Sequence, residues 1–173
     1  MTAATVGMLR RVDELMANNA VANRGQRRVF VDTNVLIYAE DGRDEAKQQR
    51  AREWLAKLWQ LRCGVLSVQV FNEFYVNVTG KLRPPLGVQD AKTVIRRFSG
   101  WQLAPLDMAT IESAWAIEAR YQVSHWDGLV LAAAQHAGCS IILSEDMQHV
   151  QKVGALTVLN PFLTSPSDYF DQL

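Results

Sequence analysis

The chain has 173 residues, which is enough for one domain with a substantial hydrophobic core. Apolar residues make up 49% of it and charged residues 21%, with 18 basic residues balancing 18 acidic ones. The sequence therefore lacks the overall positive charge that marks many nucleic-acid-binding domains. Because it contains no apolar run of about 18 residues and no recognisable signal peptide, it predicts a cytoplasmic protein without a transmembrane helix.

Residues 1–26 differ in character from the rest of the chain. Val6, Leu9, Val12 and Leu15 recur at three- and four-residue steps, which predicts a short amphipathic helix. Its apolar face suits contact with its own domain, with a partner or with a second copy of the chain. The predicted organisation is an N-terminal extension at 1–26, a main domain at 27–163 and a C-terminal surface tail at 164–173.

The stretch from Val29 to Tyr38 is apolar except where Asp32, Thr33 and Asn34 interrupt it. The residues before Asp32 predict a central parallel strand, because helices cover such a strand on both faces and leave it no polar side. In open α/β sheets, ligands bind beyond the carboxyl ends of the strands. Asp32, at that end of the strand, is the first candidate site residue.

Helices and strands alternate along the rest of the chain. Hydrophobic periodicity and breaker residues predict helices over 43–61, 68–79, 108–121 and 124–137, with a further helix over 88–98, and strands at 63–66, 101–103, 140–143 and 156–159. Asp107 is expected to cap the N-terminus of one helix, and Gly138 to end another. This alternation predicts an α/β fold with a parallel sheet.

Polar residues on the apolar helix 68–79 fall on one face, because Gln69, Glu73 and Asn77 are spaced four residues apart. Such a stripe either meets solvent or lines a polar pocket. Cys63 and Cys139 have no zinc-ligand spacing and are predicted to be buried, reduced thiols. Basic residues in 43–57, 81–83 and 92–97 would suit a phosphate backbone, although solvated helix faces explain them equally well.

Four carboxylates occupy unusual contexts, two after buried strands and two on apolar helices: Asp32, Asp146, Glu73 and Asp127. Each also has an ordinary explanation, such as a turn, a solvated face, a capping box with Ser124 or the start of a loop. Carboxylates held close together repel one another unless a cation neutralises them, and oxygen ligands favour Mg²⁺ or Mn²⁺. Such a site hydrolyses phosphate esters by activating water.

Four segments, in order, resemble the motifs of PIN-domain nucleases: VDTNVLI at 31–37, FNEF at 71–74, WDGLVLAAA at 126–134 followed by AGC at 137–139, and ILSEDMQH at 142–149. The last segment looks like the form seen in VapC-type toxins of bacterial toxin–antitoxin pairs. The resemblance spans about residues 28–162. It implies a three-layer α/β/α sandwich with a mainly parallel sheet, and Mg²⁺- or Mn²⁺-dependent cleavage of RNA.

The same resemblance implies roles for individual residues. The acidic pocket that holds the metal would consist of Asp32, Glu73, Asp127 and Asp146. Thr33, Asn34 and Ser144 would orient the carboxylates or a water, and Glu145 is the alternative to Asp146 as the fourth acid. VapC-type toxins are inhibited by a cognate antitoxin and commonly form dimers, so an antitoxin partner and a homodimer are expected.

Two other functions remain open. A catalytically silent module on the same fold would bind RNA or protein, but it would have no need for all four acids. A phosphatase would use Asp32 as a covalent nucleophile, since a carboxylate at a strand end suits that chemistry. The second acid that such enzymes typically carry two residues later is Asn34 in this sequence.

Overall fold

A computed structural model describes residues 28–171, so the predicted extension at 1–26 and residues 172–173 lie outside the described part of the chain. Strands and helices alternate within it as predicted. The strands are β1 Arg28–Val31, β2 Gly64–Ser67, β3 Gln102–Ala104, β4 Cys139–Leu143, β5 Lys152–Val153 and β6 Leu156–Leu159. The helices are α1 Thr33–Glu40, α2 Glu45–Leu61, α3 Val68–Gly80, α4 Val88–Phe98, α5 Met108–Tyr121, α6 His125–His136 and α7 Pro166–Phe170.

The described strands form one sheet in the order β3-β2-β1-β4-β6-β5. Every neighbouring pair is parallel except β5 and β6, which are antiparallel at one edge. Helix α1 contacts α2 and α3, and α3 contacts α4, whereas α5 packs on α6, and α6 crosses β2, β3, β4 and β6. The sheet lies between these two groups, so the predicted three-layer α/β/α sandwich with a mainly parallel sheet is confirmed.

The centre of the core lies where β1 passes between β2 and β4. Val29, Phe30 and Val31 are fully buried, as are Ile142 and Leu143 on the neighbouring strand. Because both edges of β1 are paired and helices cover both its faces, each of its three apolar side chains lies in the core. This burial explains why the sequence before Asp32 has no polar alternation.

Helix α1 differs from the sequence-based expectation, which assigned no helix to residues 33–40. The helix begins immediately after β1, since the Asp32 carboxylate accepts the Thr33 N–H at 2.7 Å and caps it. Val35, Leu36 and Ala39 are buried, and the intervening Ile37 is half-buried. With apolar residues on most sides, the segment shows no helical period that would separate it from a strand.

The described part of the predicted C-terminal tail contains helix α7, which packs on α2. Trp54 of α2 is fully buried, and its ring lies 6.0 Å from that of Tyr169 and 6.1 Å from that of Phe170. The Trp54 indole N–H also donates to the carbonyl oxygens of Pro161 and Thr164. Five residues are too few for a periodic pattern, and the local signs of this helix are the capping box of Ser165 and Asp168 and the proline in its first turn.

Other local predictions are confirmed. Ser67 and Asp107 cap α3 and α5, and Gly138 follows α6 with a φ of 69°, the left-handed conformation that ends many helices. Cys63 and Cys139 are free and buried, and burial raises the pKa of these thiols to about 11 and about 12. None of the helices between residues 28 and 171 combines the length and apolar character needed to cross a bilayer.

Candidate active site

The order of the strands reverses between β1 and β4. The chain continues from β1 to β2 and β3 on one side, whereas β4 leads to β6 and β5 on the other. The connections leaving these two strands therefore diverge and open a crevice at their carboxyl ends. Asp32 follows β1 and Ser144 follows β4, and the Asp32 N–H donates to the Leu143 carbonyl oxygen at 3.0 Å. Two distant parts of the sequence thus meet at this crevice.

The Asp32 carboxylate is buried and fixed by three donors. Its Oδ1 accepts the backbone N–H of Thr33 at 2.7 Å. Its Oδ2 accepts the Ser144 hydroxyl at 2.7 Å and the Asn34 amide at 3.0 Å. Both oxygens are held before any ligand arrives, so the orientation of this carboxylate is set by the fold.

Burial dominates the titration of Asp32 and raises its pKa from 3.8 to about 6. Hydrogen bonds from Ser144 and Thr33 oppose this rise, while the negative charges of Asp146 and Glu73 add to it. The ionised form is therefore disfavoured by the protein around it. A cation in the crevice would offset that penalty.

Asn34 connects the two strand-end acids. Its Nδ2 lies 3.0 Å from Asp32 Oδ2 and 3.1 Å from Asp146 Oδ2. Its Oδ1 accepts the N–H of Glu145 at 3.4 Å, and the Ser144 hydroxyl accepts the N–H of Asp146 at 3.2 Å. One amide and one hydroxyl thus position both carboxylates, which is the orienting role expected for Asn34 and Ser144.

Glu73 joins the same group of side chains from helix α3. Its Oε2 accepts the Thr33 hydroxyl at 2.7 Å, and its Oε1 accepts the Gln69 amide at 2.8 Å. The Asn77 side chain donates to the Glu73 carbonyl oxygen at 2.7 Å. The polar stripe of α3 therefore lines a polar pocket, one of the two possibilities that its spacing allowed.

Asp127 lies in the first turn of α6. Its Oδ2 accepts the Ser124 hydroxyl at 2.7 Å, and its N–H donates back to that hydroxyl at 3.2 Å. The Ser124 hydroxyl thus caps the helix, but the Asp127 carboxylate bonds to that hydroxyl and not to the Ser124 backbone N–H that a full capping box uses. Asp127 also faces the crevice, so the two roles coexist.

One cavity of about 440 Å³ brings all four acids together. Its wall includes Asp32, Glu73, Asp127 and Asp146, together with Thr33 and Asn34 of the expected supporting residues. The remaining lining residues are Ile37, Gln69, Asn77, Lys81, Trp126 and Val130. Acids from two strand ends and two helices, far apart in sequence, therefore line a single open pocket.

The PIN domain family model matches residues 29–155. The chain belongs to the PIN domain family. Solved structures that share the fold include the VapC20 toxin of Mycobacterium tuberculosis, described as cleaving the sarcin-ricin loop, with 19% identity over 66% of this chain and 86% of that one and a TM-score of 0.52. No curated protein sequence matches the chain.

Two further structures of the same fold are complexes. A toxin–antitoxin complex from Klebsiella pneumoniae has 16% identity over 77% of this chain and 97% of that one, with a TM-score of 0.55. The DNA-bound VapBC complex from Salmonella typhimurium has 14% identity over the same shares and a TM-score of 0.54. At these identities the likeness is one of fold, and it extends over almost the whole of each matched chain.

The two neighbouring acids of the PIN domain's fourth motif point to different places. Asp146 lines the cavity, whereas Glu145 is not among the lining residues and instead pairs with Lys47 of α2. Lys47 also donates to the Tyr38 hydroxyl at 3.2 Å. This geometry favours Asp146 over Glu145 as the fourth acid of the pocket.

The donor atoms of this PIN domain suit a hard divalent cation. Among residues 28–171, no three His, Cys, Asp or Glu side chains are already arranged as a ligand cluster. Mg²⁺ does not require one, because it is usually held by one or two carboxylates and retains several waters. Asp32 and Asp146 share the Asn34 amide, and the pKa of Asp32 is raised mainly by burial, with smaller contributions from the negative charges of Asp146 and Glu73. The residues therefore fit Mg²⁺ or Mn²⁺.

Trp126 and Lys81 line the cavity but were not among the candidate site residues from the sequence. Trp126 was part of the third motif, and Lys81 continues the four-residue spacing of Gln69, Glu73 and Asn77 just beyond the end of α3. Two basic residues are paired with acids outside the cavity: Arg43, which precedes α2, with Asp41, and Arg50 of α2 with Glu53. Lys81, by contrast, forms no ion pair among the described residues.

Proposed function

We propose that this PIN domain is a Mg²⁺- or Mn²⁺-dependent endoribonuclease and the toxin of a toxin–antitoxin pair. The observation that carries the proposal is the convergence of four acids on one cavity at the switch point of the sheet. Membership of the PIN domain family supports nuclease chemistry. The fold shared with VapC20, a sarcin-ricin loop cleaving toxin, supports RNA as the substrate class.

In this proposal Asp32 and Asp146 hold the metal ion, and Glu73 and Asp127 complete the acidic wall. A bound Mg²⁺ or Mn²⁺ supplies a water of lowered pKa and neutralises negative charge that develops on the phosphate. Asn34 and Ser144 keep the Asp32 carboxylate in one orientation, so no side-chain rearrangement is needed when substrate arrives. Thr33 and Gln69 do the same for Glu73.

Partners and location belong to the same proposal. An antitoxin protein would bind and inhibit the chain, as expected from toxin–antitoxin complexes that share its fold. We further propose a homodimer and a cytoplasmic location. Co-expression with the neighbouring small open reading frame, followed by light scattering of the purified complex, would measure both the partner and the size of the assembly.

The experiment that tests the nuclease is cleavage of a cellular RNA pool by purified protein. Parallel reactions contain Mn²⁺, Mg²⁺ or a chelator, each beside the Asp32→Asn variant, whose circular dichroism confirms the fold. Discrete fragments that require both the metal and Asp32 are expected. Equal cleavage by Asp32→Asn would contradict the proposed site.

The same preparation separates the two other functions. A small phosphate ester is included as a further substrate, and no rapid turnover of it is expected. A silent binding module would bind RNA without cleaving it in any metal and would bind no Mn²⁺ by calorimetry. Denaturation and refolding remove any bound antitoxin. If the refolded protein is still inactive, inhibition is not the reason.

A further inference from the structure

We propose that Trp126 is a stacking platform for an unpaired base of the substrate, with the polar stripe of α3 beside it as the hydrogen-bonding wall. The inference deepens the proposed nuclease function and rests on it, because it assigns the residues that hold RNA beside the acids. Apart from Glu73, it concerns side chains that are not among the four acids of the pocket.

Trp126 is the most exposed tryptophan among the described residues, with 63% of its surface accessible, although it lines the cavity. Within the described chain its one ring contact is with His125, at 5.9 Å between centroids. Trp59, which is 45% exposed, differs because it packs against Phe98 and Trp101. An indole left open at the rim of an acidic pocket is a surface on which a base stacks.

The backbone that carries the platform is held in place although the ring itself is exposed. The Trp126 carbonyl oxygen accepts the Gln69 amide at 3.4 Å, which ties the start of α6 to α3. His125, the residue beside it, bonds through Nδ1 to Glu118 at 2.6 Å. Asp127 follows Trp126 directly, so a base stacked on the indole lies next to one of the four acids.

Gln69 supplies an independent sign of a missing ligand group. It is 5% exposed, and its Oε1 is a buried acceptor with no hydrogen-bond partner among the described residues. The amide cannot be reversed to remove this gap, because Nε2 donates to the Glu73 carboxylate at 2.8 Å. Buried acceptors are rarely left unpaired. A hydroxyl or amino group of a nucleotide would supply the donor once the Gln69 side chain turns further into the cavity that it lines, because this oxygen has almost no accessible surface in this structure.

Lys81 extends the stripe of α3 with a positive charge. Gln69, Glu73, Asn77 and Lys81 follow one another at four-residue steps, and all four line the cavity. The Lys81 ammonium group forms no ion pair within residues 28–171. At about 1.5 Å per residue, Lys81 lies some 18 Å along the helix from Gln69, so the two ends of the stripe contact different nucleotides. Its charge suits a backbone phosphate.

This arrangement requires a base that is not paired and not stacked on its neighbours, because only then is its face available to an indole. In this arrangement the acids lie next to that base, and the polar stripe of α3 contacts the nucleotides of the RNA that follow it. Single-stranded RNA or a loop fits these requirements, whereas a continuous duplex does not.

The first test compares Trp126→Ala, Trp126→Leu and Trp126→Phe with the wild type on a single-stranded oligonucleotide. Trp115→Ala is the matched control, since Trp115 is 53% exposed but does not line the cavity. We expect kcat/KM to fall roughly 5- to 100-fold for alanine and leucine, with phenylalanine recovering part of the loss. Trp115→Ala should behave like the wild type, and a duplex of the same sequence should be a poor substrate.

The second test measures binding without cleavage, in the Asp32→Asn background, with fluorescein-labelled oligonucleotides that carry one abasic position at a time. One abasic position should weaken binding to Asp32→Asn but have no further effect on Asp32→Asn/Trp126→Ala. Gln69→Leu should also weaken binding, and Lys81→Gln should reduce its dependence on salt.

The outcomes distinguish the inference from the nuclease proposal. If the wild type cleaves RNA and Trp126→Ala and Trp126→Leu cleave equally well, the stacking role is overturned and the nuclease stands. If no RNA is cleaved under any condition, the nuclease proposal fails. If, in addition, Asp32→Asn and Asp32→Asn/Trp126→Ala bind RNA equally well, the stacking role is overturned too. If light scattering shows that Trp126→Ala changes the size of the assembly and this change accounts for its loss of activity, the indole belongs to a protein contact and the inference is wrong.

Discussion

The two walls of the cavity are built differently. The wall at the strand ends is buried and densely hydrogen-bonded, with three donors on Asp32 and with Ser144 fully buried behind it. The wall formed by α6 is open: Trp126 is mostly exposed, and the Asp127 carboxylate has Ser124 as its one hydrogen-bond donor in the described chain. Precise positioning is concentrated where a metal would be held, and adaptable surface faces the space where a substrate enters.

The neighbouring acids of the strand-end wall give the largest expected contrast. Asp146→Asn should reduce kcat/KM by about 100-fold or more, because it removes a carboxylate from the pocket. Glu145→Gln should stay within about twofold of the wild type, since its side chain pairs with Lys47 at a partly exposed site. Calorimetry with Mn²⁺ measures the metal affinity of each variant. Equal losses in the two variants would remove the distinction between the two acids.

Ser144→Ala tests the support behind Asp32. Because the Ser144 hydroxyl lowers the pKa of Asp32, its loss should raise that pKa further and move the acidic limb of the pH–rate profile to higher pH. Activity at neutral pH should fall about 10- to 100-fold. An unchanged profile with reduced activity would show that Ser144 acts through packing alone.

Asp32→Asn should abolish activity and remove a pH dependence of stability. The pKa of Asp32 rises from 3.8 to about 6 on folding, so the folded wild type binds its proton more tightly and loses stability as pH rises through this range. Without divalent cation, the free energy of unfolding of the wild type should fall by about 3 kcal/mol relative to that of the variant between pH 3.8 and neutral pH. The absolute stability of the variant also reflects the hydrogen bonds that Asp32 Oδ2 accepts from Ser144 and Asn34. Urea denaturation at both pH values measures the change, and a difference between the two proteins that does not vary with pH would contradict the prediction.

Substitutions in the wall formed by α6 should have the smallest effects on activity. Ser124→Ala removes the N-cap of α6 and should lower the free energy of unfolding by about 1 kcal/mol. Its effect on kcat/KM should be smaller than that of Ser144→Ala, because the orientation of the Asp127 carboxylate is less strictly set by hydrogen bonds than that of Asp32. Urea denaturation and kcat/KM on the same RNA make the comparison, and a larger catalytic loss than in Ser144→Ala would reverse it.

The sequence predicted the parts of the site that local rules control. A buried apolar run that ends at an acid placed Asp32 beyond a strand, and four-residue spacing placed Glu73 with its neighbours on one face of α3. The order and residue pattern of the four motifs suggested the family, which the family model confirms over residues 29–155. These signals depend on a few adjacent residues or on a helical period, and both can be read directly.

The remaining features depend on packing that no local pattern encodes. Helix α1 was missed because apolar residues occur on most sides of it and leave no helical period in the sequence. Strand β5 was missed because a strand of two residues shows no alternation. The contact of Asn34 with both strand-end acids follows from the pairing of β1 with β4. Lys81 and Trp126 reach the cavity from the end of one helix and the start of another, and only the tertiary structure brings those ends together.

The pairing of β1 with β4 also sets when the pocket can exist during synthesis. The hydrogen bond between Asp32 and Ser144 joins residues 112 positions apart. A nascent chain therefore exposes its first acid long before the strand that completes the pocket leaves the ribosome, and long-range pairings of this kind form late in folding. A chain arrested at residue 143 would carry Asp32, Glu73 and Asp127 but lack both Ser144 and Asp146. The pocket therefore cannot be complete until about four-fifths of the chain has been translated.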